Sequence, residues 1–448
     1  MSMSTTPIYD FINNYNSKDC VRLHMPGHKG KGFLGFEAHD ITEIDGADVL
    51  YHSNGIIRQS EDIASGIFNT KRTLYSTEGS SLCIRAMLYL ALLKAKKNER
   101  PVIFAGRNAH KVFITTSALL DFDIKWLYPE KRESAVCCEV SPEKLDFELT
   151  HADILPIAVY ITSPDYLGNI ADIQGLSQIC HKHNTILIVD NAHGAYLNFL
   201  DKSLHPIPLG ADLCCDSAHK TLPVLTGGAY LHISKTTDKL FFEHAENAMS
   251  LFSSTSPSYL ILESLDLANK YLLDGFEKDL SILQKELKLL KQYLTEKGYE
   301  LIGDEPLKLT IHTKAYGYTG HEIYKLLEEK DIICEFADKD YLVMMFSTQN
   351  PPSDFEKVKN ILTEIPRKES ITTIPPESFI PKSAMSPRKA LFIPSVKRQV
   401  KDCLGKVLCS VSISCPPAIP FIVCGEIINE KAIKLLEYYG VTECYTEK

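Results

Sequence analysis

The sequence predicts an α/β protein, with a large domain on a mainly parallel sheet followed by a smaller α/β domain. Three observations predict it. Short β-branched runs alternate with helical segments through the first half of the 448 residues, the pattern of strand and crossover units around a parallel sheet. A long helical stretch, rich in Leu and charge, runs from Ser256 to Tyr299 and marks the passage into a second unit. Beyond it, strand and helix signals resume on a shorter scale.

Residues 1–45 read as an N-terminal segment that holds the basic loop Pro26-Gly27-His28-Lys29-Gly30-Lys31-Gly32. That loop has too few of the right residues for a Walker phosphate loop. Residues 46–255 form the large domain. Its strand candidates are Pro101 to Ala105, Ile154 to Thr162, Thr185 to Asp190 and Gly228 to Ile233, and Leu82 to Leu90 reads as a buried helix. Residues 256–366 hold the connecting helix and the small domain, with strand candidates Leu307 to Ile311 and Tyr341 to Phe346. The Pro- and Ser-rich stretch 367–387 reads as a linker. Residues 388–448 form a compact tail, with a strand candidate at Ile419 to Ile427 and a helix at Asn429 to Tyr439. No internal repeat is evident.

The chemistry concentrates in four short motifs. Ser217-Ala218-His219-Lys220 follows the apolar run Ala211 to Cys215 and places a lysine where it can hold pyridoxal 5′-phosphate as a Schiff base. About thirty residues upstream, Ile186 to Val189 ends in Asp190, with Asn191-Ala192-His193-Gly194 behind it. A carboxylate at that strand end can pair with the cofactor's pyridine nitrogen and keep it protonated. Taken singly, Asp190 reads equally as a helix cap and Lys220 as a surface charge; their order and spacing make the pair. Gly79, Ser80 and Ser81 precede the buried helix and can cradle a phosphate with backbone amides and hydroxyls, although an ordinary Ser cap also fits. Ser217 and His219 add to that phosphate site. His110, just beyond a strand candidate, can lie flat on the pyridine ring or simply cap a helix.

These motifs resemble the Orn/Lys/Arg decarboxylase family in its short form. The resemblance rests on Leu23 to Gly30, Ser76 to Ser81, Arg107 to Lys111, Asp190 to Gly194, Ser217 to Lys220 and Cys415 to Pro420, in family order over nearly the whole chain. It implies an aminotransferase-like fold of type I, with 388–448 as the family's C-terminal domain, and a cofactor, pyridoxal phosphate, attached at Lys220. Asp190 is then the pyridinium partner, His110 the stacking ring, and Ser80, Ser81, Ser217 and His219 the phosphate ligands. His193 stands where long, acid-induced members carry Trp. Cys415 and Ala418 replace the usual Tyr and Gly in a segment close to the pocket in relatives. The resemblance also implies a homodimer with the active site at the interface, approached by His28 or Lys29.

The activity so implied is decarboxylation of arginine, lysine or ornithine, with His219 and Lys220 as candidates to return a proton to the α-carbon. Glu426 is a candidate for the substrate's distal cation, or else an exposed loop carboxylate. An aminotransferase or lyase of the same fold shares the cofactor elements, and a non-catalytic cofactor-binding regulator is a third reading, against which the complete Lys220, Asp190 and His110 set stands.

Composition agrees with a metabolic enzyme. The length suffices for two or three domains and an ample core. A net charge of −9 disfavours nucleic acid as a partner. No apolar run approaches the roughly 18 residues that span a bilayer, and the polar start is unlike a signal peptide, so a cytoplasmic protein is expected. The thirteen cysteines include the adjacent pairs Cys137-Cys138 and Cys214-Cys215 and read as buried thiols rather than metal clips or disulfides. The histidines show no metal-ligand spacing, and no metal is expected.

Overall fold

The computed structural model describes residues 5–129, 134, 136–376, 379–411 and 419–448. Cys415 and Ala418 therefore lie outside the described residues. The main sheet has seven strands: β1 (Arg72–Ser76), β2 (Val102–Gly106), β3 (Asp123–Leu127), β4 (Ala158–Thr162), β5 (Ile186–Asp190), β6 (Leu213–Asp216) and β7 (Ala229–Ile233), in the order β1-β7-β6-β5-β4-β2-β3. The pairs β5/β6 and β2/β3 are parallel, whereas β7 runs antiparallel to both β1 and β6. The strand β5 is buried along its whole length, which is why Ile186 to Val189 carries no polar alternation.

The four predicted strands of this sheet all form. The candidate at Ile154 to Thr162 shortens to β4 because Ile154 and Leu155 are exposed and Pro156 has no N–H for a ladder. The buried helix spans Ser80–Leu92. The long pattern from Ser256 to Tyr299 is two helices, Tyr259–Asp274 and Phe276–Glu296, parted at Gly275, where the backbone leaves helical dihedrals. Ser258 starts the first by accepting the Ile261 N–H.

A second sheet orders β8 (Glu300–Ile302), β9 (Lys308–His312), β10 (Phe336–Ala337) and β11 (Tyr341–Met345) as β10-β11-β9-β8, antiparallel throughout. Near the C-terminus, β12 (Ser395–Gln399) pairs antiparallel with β13 (Glu443–Glu447) beside the helix Glu430–Tyr438, which Asn429 caps. Val400, Cys403, Leu408, Phe421, Ile422, Ile428 and Leu436 form the core there. The expected strand at Ile419 to Ile427 is absent. Its apolar residues are spent on a buried turn: Glu426 N–H donates to the Val423 carbonyl and Gly425 sits at φ +93°. A Cβ on Gly425 would meet the Met385 carbonyl oxygen at 2.2 Å, so hydrophobicity there serves packing, and only the bridges Ser383–Glu426 and Val407–Ile427 remain.

The chain divides into two compact units. The first comprises Met1–Glu99, Ile157–Val159 and Ile173–Leu280; the second comprises Arg100–Pro156, Tyr160–Asp172 and Ser281–Lys448. No described helix is long and apolar enough to cross a membrane. The described cysteines are free thiols, ten of the twelve buried.

Candidate active site

In the first unit, β5 and β6 are parallel with Asp190 opposite Cys215. β1 and β6 both run antiparallel to β7, so β1, β5 and β6 end at one edge of the sheet. Ligands in open α/β sheets gather at such an edge. Each of the three strands delivers a motif there.

β6 ends at Asp216 and passes through Ser217 into the short helix Ala218–Thr221, which carries Lys220. The Lys220 Nζ lies 3.0 Å from His193 Nε2. β5 ends at Asp190, whose buried Oδ1 accepts from the Ala192 N–H at 3.3 Å and from the Cys215 thiol at 3.7 Å. β1 leads through Ser76 to Gly79, the residue before the helix Ser80–Leu92. That helix start has no side-chain cap, so its first-turn amides are left to other acceptors. Gly79 stands at φ +69°, and a Cβ there would meet nothing nearer than the Ser81 amide nitrogen at 4.0 Å. Ser217 Oγ donates to Ser80 Oγ at 2.8 Å and joins the two phosphate motifs predicted from sequence. Uncapped amides, two linked hydroxyls and open space suit a phosphate. An amine and a carboxylate at the same sheet edge suit the carbonyl and ring nitrogen of pyridoxal phosphate.

His219 lies beside Lys220. Its Nδ1–H donates to the Gly228 carbonyl at 2.9 Å, which leaves Nε2 with the lone pair. Burial pushes its pKa below the ordinary value; the Gly228 bond opposes this and the Lys220 charge adds to it. A neutral Nε2 accepts protons, and it must gain one before it can donate to a phosphate.

Beneath this edge lies a buried network that the sequence did not reveal. Asp216 Oδ2 accepts from His205 Nε2 at 3.0 Å and His232 Nε2 at 3.1 Å, and Oδ1 accepts from Asn191 Nδ2 at 2.7 Å. Two imidazoles and a carboxylate are also a metal-ligand set, their ligand atoms all within 4.8 Å of one another. Here the protons close the network: the Ile207 N–H points at His205 Nδ1 at 3.4 Å, so the ring's own proton sits on Nε2, facing Asp216. Thr73 Oγ1 engages His232 Nδ1 at 2.9 Å.

The remaining predicted residues are placed as follows. His28 Nε2 bonds Asp40 Oδ2 at 3.1 Å and its Nδ1 accepts the Gly30 N–H at 3.0 Å. Lys29 Nζ donates to the His24 carbonyl at 2.5 Å. Among the described residues, both side chains bond only within residues 24–40. In the second unit, His110 caps the helix Lys111–Leu120 by accepting the Val112 N–H at Nδ1.

Glu426, also in the second unit, is buried rather than exposed, which removes the loop-carboxylate alternative. Its carboxylate accepts from Arg107 Nη2 at 2.9 and 3.2 Å and from the Val423 N–H at 2.6 Å. The Arg107 guanidinium is itself buried and lies 4.9 Å from the Trp126 ring centroid. Such a pair is expensive to break from one side. Glu426→Ala is expected to cost about 3–5 kcal/mol, read as a lowered urea midpoint; a substrate contact alone would instead raise KM and leave the midpoint unchanged.

Residues 6–297 match the family described as Orn/Lys/Arg decarboxylase, major domain. The arginine decarboxylase of Bacillus subtilis (strain 168) is 28% identical, over 97% of this chain and 94% of its own length. The arginine decarboxylase of Halalkalibacterium halodurans is 27% identical, over 95% and 91%. Among solved structures, lysine decarboxylase A from Pseudomonas aeruginosa superposes with a TM-score of 0.81 at 16% identity, covering 99% of this chain and 80% of that one; this likeness bears on the fold, which is aminotransferase-like, of type I. The chain is an enzyme of the Orn/Lys/Arg decarboxylase family.

Proposed function

We propose that this enzyme removes the α-carboxylate of a basic L-amino acid (arginine, lysine or ornithine) as CO2 and releases the amine, with pyridoxal phosphate attached at Lys220. Bound there, the cofactor supplies the electron sink that carries the charge left when CO2 departs. The chain's residues bind, orient and move protons around it. The Gly79-Ser80-Ser81 helix start and Ser217 hold the phosphate. Asp190 would keep the ring nitrogen charged. Lys220 forms the covalent attachment, and the lone pair on His219 Nε2 can take up a proton and return it to the α-carbon. Which bond breaks would be set by how the residues around the site orient the bound substrate.

The observation that carries this reading is the convergence of Lys220, Asp190 and the uncapped helix start at one sheet edge, tied by the Ser217–Ser80 bond. We further propose a cytoplasmic homodimer, with His28 and Lys29 brought to the site by assembly. The exposed Val21, Leu23, Met25, Phe33 and Leu34 beside them support a covered N-terminal segment. Purified enzyme loaded with pyridoxal phosphate should release CO2 from one of arginine, lysine and ornithine, with the amine identified by mass. Keto-acid formation without CO2 would instead indicate transamination.

A further inference from the structure

We infer that Cys215 is a positioning residue, whose thiol donates a hydrogen bond that orients the Asp190 carboxylate and weakens it as a base. The inference rests on the reading of Asp190 as the partner of the cofactor's ring nitrogen, and it gives a purpose to one of the adjacent pair Cys214-Cys215. In the parallel register of β5 on β6, Asp190 stands opposite Cys215, and side chains at paired positions leave the sheet on the same face. Cys215 Sγ lies 3.7 Å from Asp190 Oδ1. The Ala192 N–H reaches the same oxygen at 3.3 Å, so two donors meet on one edge of the carboxylate and set its plane.

A thiol is a weak donor, and in water it loses the competition for an acceptor. Here Cys215 is wholly buried and Asp190 is 3% exposed, so little solvent competes and the low dielectric strengthens the bond. Burial, reinforced by the Asp190 charge, pushes the thiol well above its ordinary range, and the sulfur therefore keeps the proton it donates. Two further thiols, Cys83 and Cys214, feel the same charge. Both are committed elsewhere: Cys83 Sγ donates to the Gly79 carbonyl at 3.9 Å, and Cys214 Sγ donates to Asp216 Oδ1 at 3.6 Å. Successive strand residues point to opposite faces, which is why neighbours on β6 serve different carboxylates. The chemical consequence follows from what a donor does to a carboxylate. A hydrogen bond to the ionised form favours that form and makes the group the weaker base. A proton placed between Asp190 and a ring nitrogen then stays on the ring, where an electron sink needs it.

The test separates this bond from packing. Cys215→Val fills a similar space without a donor, and Cys215→Ser keeps one. Cofactor-free protein is titrated with pyridoxal phosphate and with its analogue in which CH replaces the ring nitrogen, each followed by absorbance. Cys215→Val should bind pyridoxal phosphate about threefold more weakly and the analogue no differently, while Cys215→Ser should retain the parent affinity for both. Equal weakening towards the two ligands, or no weakening towards either, would overturn the inference, because a sulfur that only fills space cannot distinguish a ring nitrogen from a CH. A second measurement needs no ligand: in cofactor-free protein carrying ¹³C-labelled aspartate, with the Asp190 signal assigned by its loss in Asp190→Asn, Cys215→Val should raise the carboxyl's titration midpoint by about half a pH unit. An unmoved midpoint would also overturn the inference. Failure of the parent protein to take up pyridoxal phosphate would sink the proposed function, and the carboxyl titration would still decide the role of Cys215.

Discussion

Lys220→Ala is expected to lower turnover by roughly 10⁴-fold or more, on the scale seen when an enzyme loses the group that forms its covalent bond. It should also abolish the visible absorbance of the attached cofactor. The mechanism assigned to the other residues is non-covalent, and none of them can make this bond. Lys220→Arg should be equally inactive, because a guanidinium retains the charge but does not lose its proton in a protein. The fold should survive both changes. Lys220 is exposed at the edge of the sheet, and surface substitutions ordinarily alter stability by no more than about 0.5 kcal/mol. Steady turnover by a folded Lys220→Ala protein, with its melting temperature unchanged, would refute the assignment.

Asp216→Ala should lower stability by about 3–5 kcal/mol. Asp216, His205 and His232 are completely buried, and removing the carboxylate strands the ring N–H groups and the Asn191 amide without an acceptor. Part of the loss should reach the site, because Asp216, the residue before Ser217, holds Asn191, the residue after Asp190. A lower urea midpoint with weaker cofactor retention is the expected outcome. An unchanged midpoint would mean that the network is not needed to hold this sheet edge.

The same network predicts acid sensitivity. Burial alone would raise the pKa of Asp216, but the charges and hydrogen bonds of His205 and His232 outweigh it and hold the carboxyl well below the usual range. Its contribution to stability is thus complete above about pH 4, the unfolded value, and is lost as the pH falls through the depressed folded value. Burial also lowers the pKa of His232 and of His219. The unfolded chain therefore takes up protons on these rings first, from about pH 6.5 downward, and stability should begin to decline there. Urea midpoints measured between pH 8 and pH 3 should fall towards acid, and Asp216→Ala should show a smaller decline below pH 4.

Much of this was legible in the chain because local physics wrote it. An uninterrupted apolar run bounded by polar residues had to be a buried strand, as β5 is. Gly79 before a helix-forming stretch had to open that helix, and Ser217 to Lys220 after a buried strand had to lie at a sheet edge. The errors came where one local signal serves two tertiary purposes. The run Ile419 to Ile427 is as apolar as a strand, but its residues fill a core from a turn, and hydrophobicity alone does not report which polar partners the backbone finds. Glu426 read as a free carboxylate because its neutralising Arg107 lies 319 residues away. The Asp216 network was invisible for the same reason, its members Thr73, Asn191, His205 and His232 being drawn from four separate stretches. By itself, then, the sequence determined the β2, β4, β5, β7, β9 and β11 strands and the candidate residues for the chemistry. Only the tertiary structure decided which groups share a proton, because the register of β5 on β6 and the antiparallel β7 set the distances over which hydrogen bonds and charges act.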